Sequence, residues 1–177
     1  MIILIGPSAS GKTSIAKELI EKHHFKKFIT NTTRPMRIKE VNDVDYHFIS
    51  KEEFEKKKRD NKLIEYTLYN GNLYGTSIED VSDDKVLIVD INGANKFYEK
   101  LKEEIMIFYI TCNQKNIKER MILRGDNEES IKARLALDKD YFDINKLHHY
   151  DYIISTDNDS IEKLADDIVL KYNKNKR

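Results

Sequence analysis

Gly6-Pro7-Ser8-Ala9-Ser10-Gly11-Lys12-Thr13 follows directly on the apolar run Ile2-Ile3-Leu4-Ile5 and precedes a segment whose apolar residues Ile15, Ala16, Leu19 and Ile20 recur at helical steps. A strand, a glycine-bounded loop and a helix form the context in which G-x-x-x-x-G-K-[ST] binds phosphate. The residue types follow from the chemistry. Backbone N–H groups that converge on phosphate oxygens need glycines where a Cβ would intervene, and the helix that follows adds its partially positive N-terminus. Gly6, Ser8, Ala9, Ser10, Gly11, Lys12, Thr13 and Ser14 are therefore the candidate donor-phosphate residues. Lys12 would reach the β- and γ-phosphates, and the Thr13 hydroxyl would help hold Mg²⁺.

Outward from this loop, apolar runs recur at 86–89, 105–110 and 152–154, each followed by a polar segment of helical period. Short buried strands alternating with helices predict a parallel core sheet, hence an α/β three-layer phosphate-loop NTPase fold. Val86-Leu87-Ile88-Val89-Asp90 ends such a strand in a carboxylate. A carboxylate there can orient Mg²⁺ directly or through water, so Thr13 and Asp90 are the candidate metal residues. Between the first two runs the pattern changes, with aromatics at alternate positions in Tyr46-His47-Phe48 and Tyr66-Thr67-Leu68-Tyr69. This predicts a small, partly antiparallel α/β lobe inserted into the core. After Ser160, the apolar positions Ile161, Leu164, Ala165, Ile168 and Val169 trace a closing amphipathic helix.

The 31 Lys+Arg balance 31 Asp+Glu, which leaves no net field to attract nucleic acid or a membrane surface. The 177 residues fit one compact domain, since a chain of this size buries roughly 70% of its unfolded surface. Cys112 is the one cysteine. It excludes an intrachain disulfide and a cysteine-rich zinc site, and it suits a reducing cytoplasm. No apolar run approaches the roughly 18 residues that span a bilayer, and neither a signal peptide nor an anchor is expected.

A phosphate loop specifies the donor, and the inserted lobe has to specify the acceptor. Thr32-Thr33-Arg34-Pro35-Met36-Arg37, Glu40, Asp45-Tyr46, Glu65-Tyr66 and Asn70-Gly71-Asn72-Leu73-Tyr74-Gly75-Thr76 succeed one another there. Asp90-Ile91-Asn92-Gly93 and a run from Arg120 through Arg124-Gly125 to Arg134 follow. In this order, over nearly the whole chain, these stretches resemble the guanylate kinase family. The resemblance implies a single guanylate-kinase-like domain with its core over 1–31 and 84–177, a GMP-binding lobe over 32–83 and a helical lid over about 125–142. It implies transfer of the γ-phosphoryl of ATP to GMP or dGMP with Mg²⁺, giving ADP and GDP.

In that family the matching positions give Arg34, Arg37, Tyr46 and Tyr74 to the GMP phosphate and place Thr30, Glu65 and Thr76 around guanine. Gly75 and Asn92 complete the acceptor set, and Glu40 is expected to hold the arginine pair in place. Arg120, Arg124 and Arg134 match positions that close over the ATP phosphates and the reaction centre, with Lys12, Arg34, Arg37 and Asp90 as the other catalytic candidates. The implied partners are ATP and GMP, with no nucleic acid or membrane, in a cytoplasmic monomer or weak homo-oligomer. Closure is expected to align the two phosphates and expel water.

Elementary chemistry supports the acceptor assignment. Guanidinium forks match a dianionic monophosphate and stay charged at any relevant pH. The carboxylate of Glu65 is acceptor-only, and guanine offers adjacent N1–H and 2-amino donors where adenine presents a lone pair. Four departures from the family pattern stand out. Asn92 replaces the second carboxylate of Asp-x-Asp, and Ser155-Thr156-Asp157 stands where Asn-Asp-Asp often sits near the adenine. The lid segment is one residue shorter, and Ala9 occupies a position that is commonly glycine, which an alanine tolerates unless φ > 0 is needed. Asn92 motivates one alternative, a kinase of altered acceptor. The other is a catalytically weak guanylate-kinase-like binding domain.

Overall fold

The computed structural model describes residues 1–69 and 71–175; Asn70, quoted above, and the final two positions lie outside the described residues. From the N-terminus run β1 (Ile2–Ile5), α1 (Lys12–His23) and β2 (Lys26–Lys27). Next come β3 (Asn31–Thr32), β4 (His47–Phe48), α2 (Lys51–Arg59), β5 (Leu63–Tyr69) and β6 (Asn72–Ser77). The chain continues as β7 (Lys85–Ile88), α3 (Ile91–Leu101), β8 (Met106–Thr111), α4 (Gln114–Leu123), α5 (Glu128–Tyr141), β9 (Tyr152–Ser155) and α6 (Ile161–Asn175).

Two compact units result, one of Met1–Lys26 with Asp83–Arg177 and one of Lys27–Ser82. In the first, the sheet order is β2-β7-β1-β8-β9, with β7, β1, β8 and β9 mutually parallel. Every residue of β1 is buried, so this strand reads as a continuous apolar run with no alternation, as a parallel strand covered on both faces must. Ile2 and Leu4 of β1 pack with Phe108 and Ile110 of β8 against Ile15 and Leu19 of α1 and Leu164 and Ile168 of α6. Each such side chain contributes on the order of 1.5–3 kcal/mol when fully buried. On this frame the C-terminal ends of β1 and β7 deliver the phosphate loop and Asp90.

The second unit carries a mixed sheet, β4-β3-β6-β5, in which β3 pairs parallel with β4 and antiparallel with β6, and β5 pairs antiparallel with β6. α2 caps itself through Ser50, whose hydroxyl accepts from the Glu53 N–H at 3.0 Å, and buries Phe54. The expected boundary at 31/32 is displaced to 26/27. Asn31 pairs with Gly75 and Thr32 with Tyr74, which ties the segment before residue 32 to the lobe.

α4 and α5 are joined across Gly125 at φ 88°, and the segment over about 125–142 that was expected to form a lid holds α5. Asn113 and Asn127 cap the two helices by accepting from the Asn116 and Ser130 N–H groups, each at 2.8 Å.

Candidate active site

The first unit carries the phosphate loop. Gly6 has φ 146°, and a Cβ there would lie 2.1 Å from the Ile110 carbonyl oxygen, so the turn out of β1 admits glycine alone. Ala9, by contrast, adopts φ 57°, the left-handed region, as a non-glycine residue. The alanine therefore sits at a position that does need φ > 0, and bears a cost of roughly 1–2 kcal/mol.

Lys12 Nζ donates to the Gly6 and Pro7 carbonyls, each at 2.6 Å, and lies 5.6 Å from the centroid of the Phe142 ring. Burial lowers its pKa to about 8, against a smaller raising effect from Asp138. Asp138, on α5, also accepts the Ser8 N–H at 2.6 Å, so a carboxylate rests on one of the amides that a phosphate loop offers to anions. Beside the loop, a cavity of about 500 Å³ is lined by Ala9, Gly11, Lys12, Thr13, Ser14, Arg120, Arg124 and Ile161.

The second unit carries the arginines and aromatics of the inserted lobe. Arg34 Nη2 donates to Glu40 Oε1 at 2.7 Å, and Glu40 Oε2 accepts the Arg37 N–H at 2.8 Å. The Arg34 and Glu40 side chains are only 13% and 18% exposed, which separates the pair from an ordinary surface salt bridge. Arg34 stands 5.5 Å from the ring centroids of Tyr46 and Phe48, and Tyr46 meets Tyr74 edge-on at 6.1 Å. The hydrogen bond to Glu40 first, with Tyr74 adding to it, raises the Arg34 pKa, and the Arg34 hydrogen bond lowers that of Glu40. On the neighbouring strands Glu65 opposes Thr76 in register, and the Thr76 hydroxyl donates to Glu65 Oε1 at 3.1 Å.

The first unit thus carries a phosphate loop, and the second an arginine in an aromatic frame and, on its sheet, a carboxylate–hydroxyl pair. Comparison with known proteins gives the family. The guanylate kinase family model matches residues 1–170. The guanylate kinase of Clostridium tetani is 36% identical over 173 residues, covering 93% of this chain and 82% of that protein. The guanylate kinase of Lactiplantibacillus plantarum is 34% identical over 166 residues, covering 89% and 80%. A crystal structure of guanylate kinase from Anaplasma phagocytophilum superposes with a TM-score of 0.60 at 25% identity, covering 99% of this chain and 85% of that one.

The chain belongs to the guanylate kinase family.

Of the three expected lid arginines, Arg120 and Arg124 are engaged by protein groups. Arg120 donates to the Thr156 hydroxyl and carbonyl at 2.9 and 2.8 Å and to the Ala9 carbonyl at 3.3 Å. Arg124 is paired with Asp126 through both Nε and Nη2. Arg134 is exposed on α5 and contributes to the lowered pKa of Asp126, behind the Arg124 hydrogen bond. Asp90 Oδ1 caps α3 by accepting the Gly93 N–H at 2.8 Å. Asn92 is exposed in the first turn of that helix and belongs to the first unit, whereas the other acceptor candidates lie in the second.

Glu40 holds Arg34 by its side chain and Arg37 only by its backbone. Gly75 is buried, and a Cβ there would come within 2.9 Å of both the Glu65 carbonyl and Phe54, so its role is to let β5, β6 and α2 approach closely. Thr30 accepts the His47 N–H through its carbonyl at 3.0 Å.

Thr13 and Ser14 open to solvent at the first turn of α1. Among the described residues no group of three or more His, Cys, Asp or Glu could hold a metal ion. One hydroxyl and one carboxylate suit a Mg²⁺ that keeps most of its oxygens from phosphate and water. Sequence reading passed over Asp138 and Phe142, two members of a charged and aromatic stretch with no spacing to distinguish them, and gave Thr156 no role of its own.

Proposed function

We propose that this guanylate kinase family member transfers the γ-phosphoryl of ATP to GMP, and to dGMP, giving ADP and GDP. The observation that carries this reading is the shared sheet of the second unit. It presents the Arg34 fork, framed by Tyr46, Phe48 and Tyr74, on the same small lobe as the Glu65–Thr76 pair.

The Arg34 guanidinium, fixed by Glu40, receives the dianionic phosphate of the acceptor, and Arg37 adds a second fork. Glu65 and Thr76 read the base. The Glu65 carboxylate accepts from the N1–H and 2-amino groups of guanine, and an adenine lone pair at that position would leave a desolvated carboxylate without donors, at a cost of about 1–3 kcal/mol or more. Lys12 and the loop amides carry the β- and γ-phosphates of the donor. Thr13 and Asp90 would hold Mg²⁺, which supplies charge neutralisation between the phosphates. No side chain has to remove a proton from the acceptor, because a monophosphate with a second pKa near roughly 6 is already largely dianionic. Arg120, Arg124 and Arg134 supply positive charge where it builds on the transferring oxygens.

The protein acts on small molecules in the cytoplasm, as a monomer or weak homo-oligomer. Formation of ADP from ATP and Mg²⁺ with GMP, dGMP, IMP, AMP, UMP and CMP, against Lys12→Ala as blank, tests the reading. Activity with GMP and little with AMP is the expected result. Folded, ATP-binding protein that transfers to none of them would overturn it.

A further inference from the structure

The phosphate loop owes its shape to groups outside itself. Ala9 holds a left-handed φ of 57°, which an L-residue abandons when nothing restrains it. The two carbonyls at this turn are both claimed from elsewhere. Ser10 O accepts the Thr156 hydroxyl at 2.8 Å, and Ala9 O accepts Arg120 Nη1 at 3.3 Å. Thr156 also accepts from Arg120, through its hydroxyl at 2.9 Å and its carbonyl at 2.8 Å. Its own N–H donates to the Thr111 carbonyl at 3.0 Å, just past the paired ends of β8 and β9.

Thr156 is 3% exposed and Ser10 fully buried, so this hydroxyl cannot exchange its partners for water without opening the site. A threonine hydroxyl has one hydrogen to give and two lone pairs to receive with. Here the hydrogen goes to the Ser10 carbonyl at 2.8 Å, with the Thr111 carbonyl a more distant acceptor at 3.3 Å, and a lone pair receives from the arginine, which aims one fork of Arg120 at the loop backbone. A Cβ on Gly11 would meet the same two residues, Thr156 Cγ2 at 3.3 Å and Arg120 Nη1 at 3.7 Å, so the clamp lies directly against the N-terminus of α1.

We propose that Thr156 is a positioning residue for the donor phosphates. Together with Arg120 it clamps the Ala9–Ser10 turn in the left-handed conformation that keeps the loop amides turned toward one anion. This rests on the reading of residues 6–13 as the donor site and is independent of which acceptor is used. The Ser8 N–H, one residue before the turn, already takes an anionic oxygen from Asp138. Arg120 then acts on the donor through the loop carbonyl as well as through its charge.

Because the clamp opposes the strain of a single side chain, removing that side chain is expected to make the clamp dispensable. Thr156→Val keeps the shape and deletes the hydrogen bond, Thr156→Ser keeps the hydroxyl, and Ala9→Gly removes the strain. Titration calorimetry with Mg·ADP, run beside thermal unfolding, reads the outcome without any acceptor present, so failure of GMP transfer and failure of the clamp are separable.

Thr156→Val is expected to weaken ADP binding about tenfold, the scale of a lost buried hydrogen bond, and Thr156→Ser to stay within about twofold. Ala9→Gly combined with Thr156→Val is expected to return to within about threefold of the parent. A Thr156→Val protein with a lowered Tm but parental ADP affinity would make the residue merely structural and overturn the proposal. A double variant as weak as Thr156→Val alone would overturn it too. If Thr156→Val does not fold, Arg120→Lys replaces it. Lysine keeps the charge but cannot fork between Thr156 and Ala9, so rescue by Ala9→Gly supports the clamp and absence of rescue overturns it.

Discussion

Arg34 in the second unit and Lys12 in the phosphate loop carry the same formal charge and are housed differently. Arg34 is paired with Glu40, faces the rings of Tyr46 and Phe48, and has its pKa raised further above the physiological range. Lys12 donates to two neutral carbonyls, and burial draws its pKa down to about 8. A guanidinium cannot be deprotonated in a protein, so its charge can be fixed in place before any ligand arrives. An ammonium shifts readily with its surroundings, and its charge is therefore adjustable by pH and by neighbours such as Asp138. The arginine of the second unit holds a fixed charge, and the lysine of the phosphate loop a tunable one.

The sharpest break between the halves is Lys12→Ala. It is expected to lower phosphoryl transfer about 10³-fold while circular dichroism stays parental, since the charge serves mainly the transition state. Turnover near the parental rate would remove the loop from the chemistry altogether. Glu65→Gln, on the fixed side, is expected to raise KM for GMP by about 10²-fold and leave KM for ATP within about twofold. Steady-state kinetics with each substrate varied in turn checks it, and equal effects on both would deny Glu65 a base-reading role.

pH separates the halves next. Lys12 is charged below about pH 8 and loses its proton as pH rises through that value, so kcat/KM for ATP is expected to fall about tenfold per unit beyond it. Apparent GMP affinity, held by arginines, is expected to stay level over the first part of that window, before the guanine N1–H that Glu65 reads begins to ionise. Stability moves the other way. A lysine whose folded pKa is depressed from 10.5 to about 8 is protonated more fully in the unfolded chain between those values, so its contribution to folding improves as activity declines. Parallel loss of activity and Tm above pH 8 would contradict the assignment. Asp138→Ala gives the smallest effect, about fivefold tighter binding of Mg·ADP at pH 7, because one charge-assisted hydrogen bond no longer competes for the Ser8 amide. Weaker or unchanged binding would show that Asp138 and the nucleotide do not compete.

How much of this was legible in the sequence differs by kind of constraint. The Gly6-to-Thr13 loop could be read because backbone approach to phosphate restricts residue type at fixed spacing, and Gly6 indeed tolerates no Cβ. Parallel strands were legible from the unbroken apolar run of β1. Arg34, Glu40, Glu65 and Thr76 were reached through their order along the chain. The pairing of Glu65 with Thr76 across β5 and β6 depends on a register with an irregularity between Leu63 and Glu65, which no local pattern announces. The lobe boundary was misplaced because a two-residue strand, Asn31–Thr32, has no periodicity to detect. Asp138, and the loop contact of Thr156, were not legible for a further reason. Their partners are Ser8 and Ser10, far away in sequence, and an Asp on a charged helix or a Thr after a strand is unremarkable until the fold brings the loop to it.

The Asp138 contact also bears on how this protein responds to its medium. A nucleotide phosphate that enters the loop takes over an amide already held by a carboxylate, so the step exchanges one anion for another. Mobile ions screen the approach of an anion to a bare positive site strongly, and screen much less an exchange that leaves the local charge nearly balanced. ATP capture by the parent chain will accordingly depend on ionic strength less steeply than capture by Asp138→Ala. On this account the carboxylate of α5 serves the loop as a charge buffer, and a shallow response to salt would trace to Asp138.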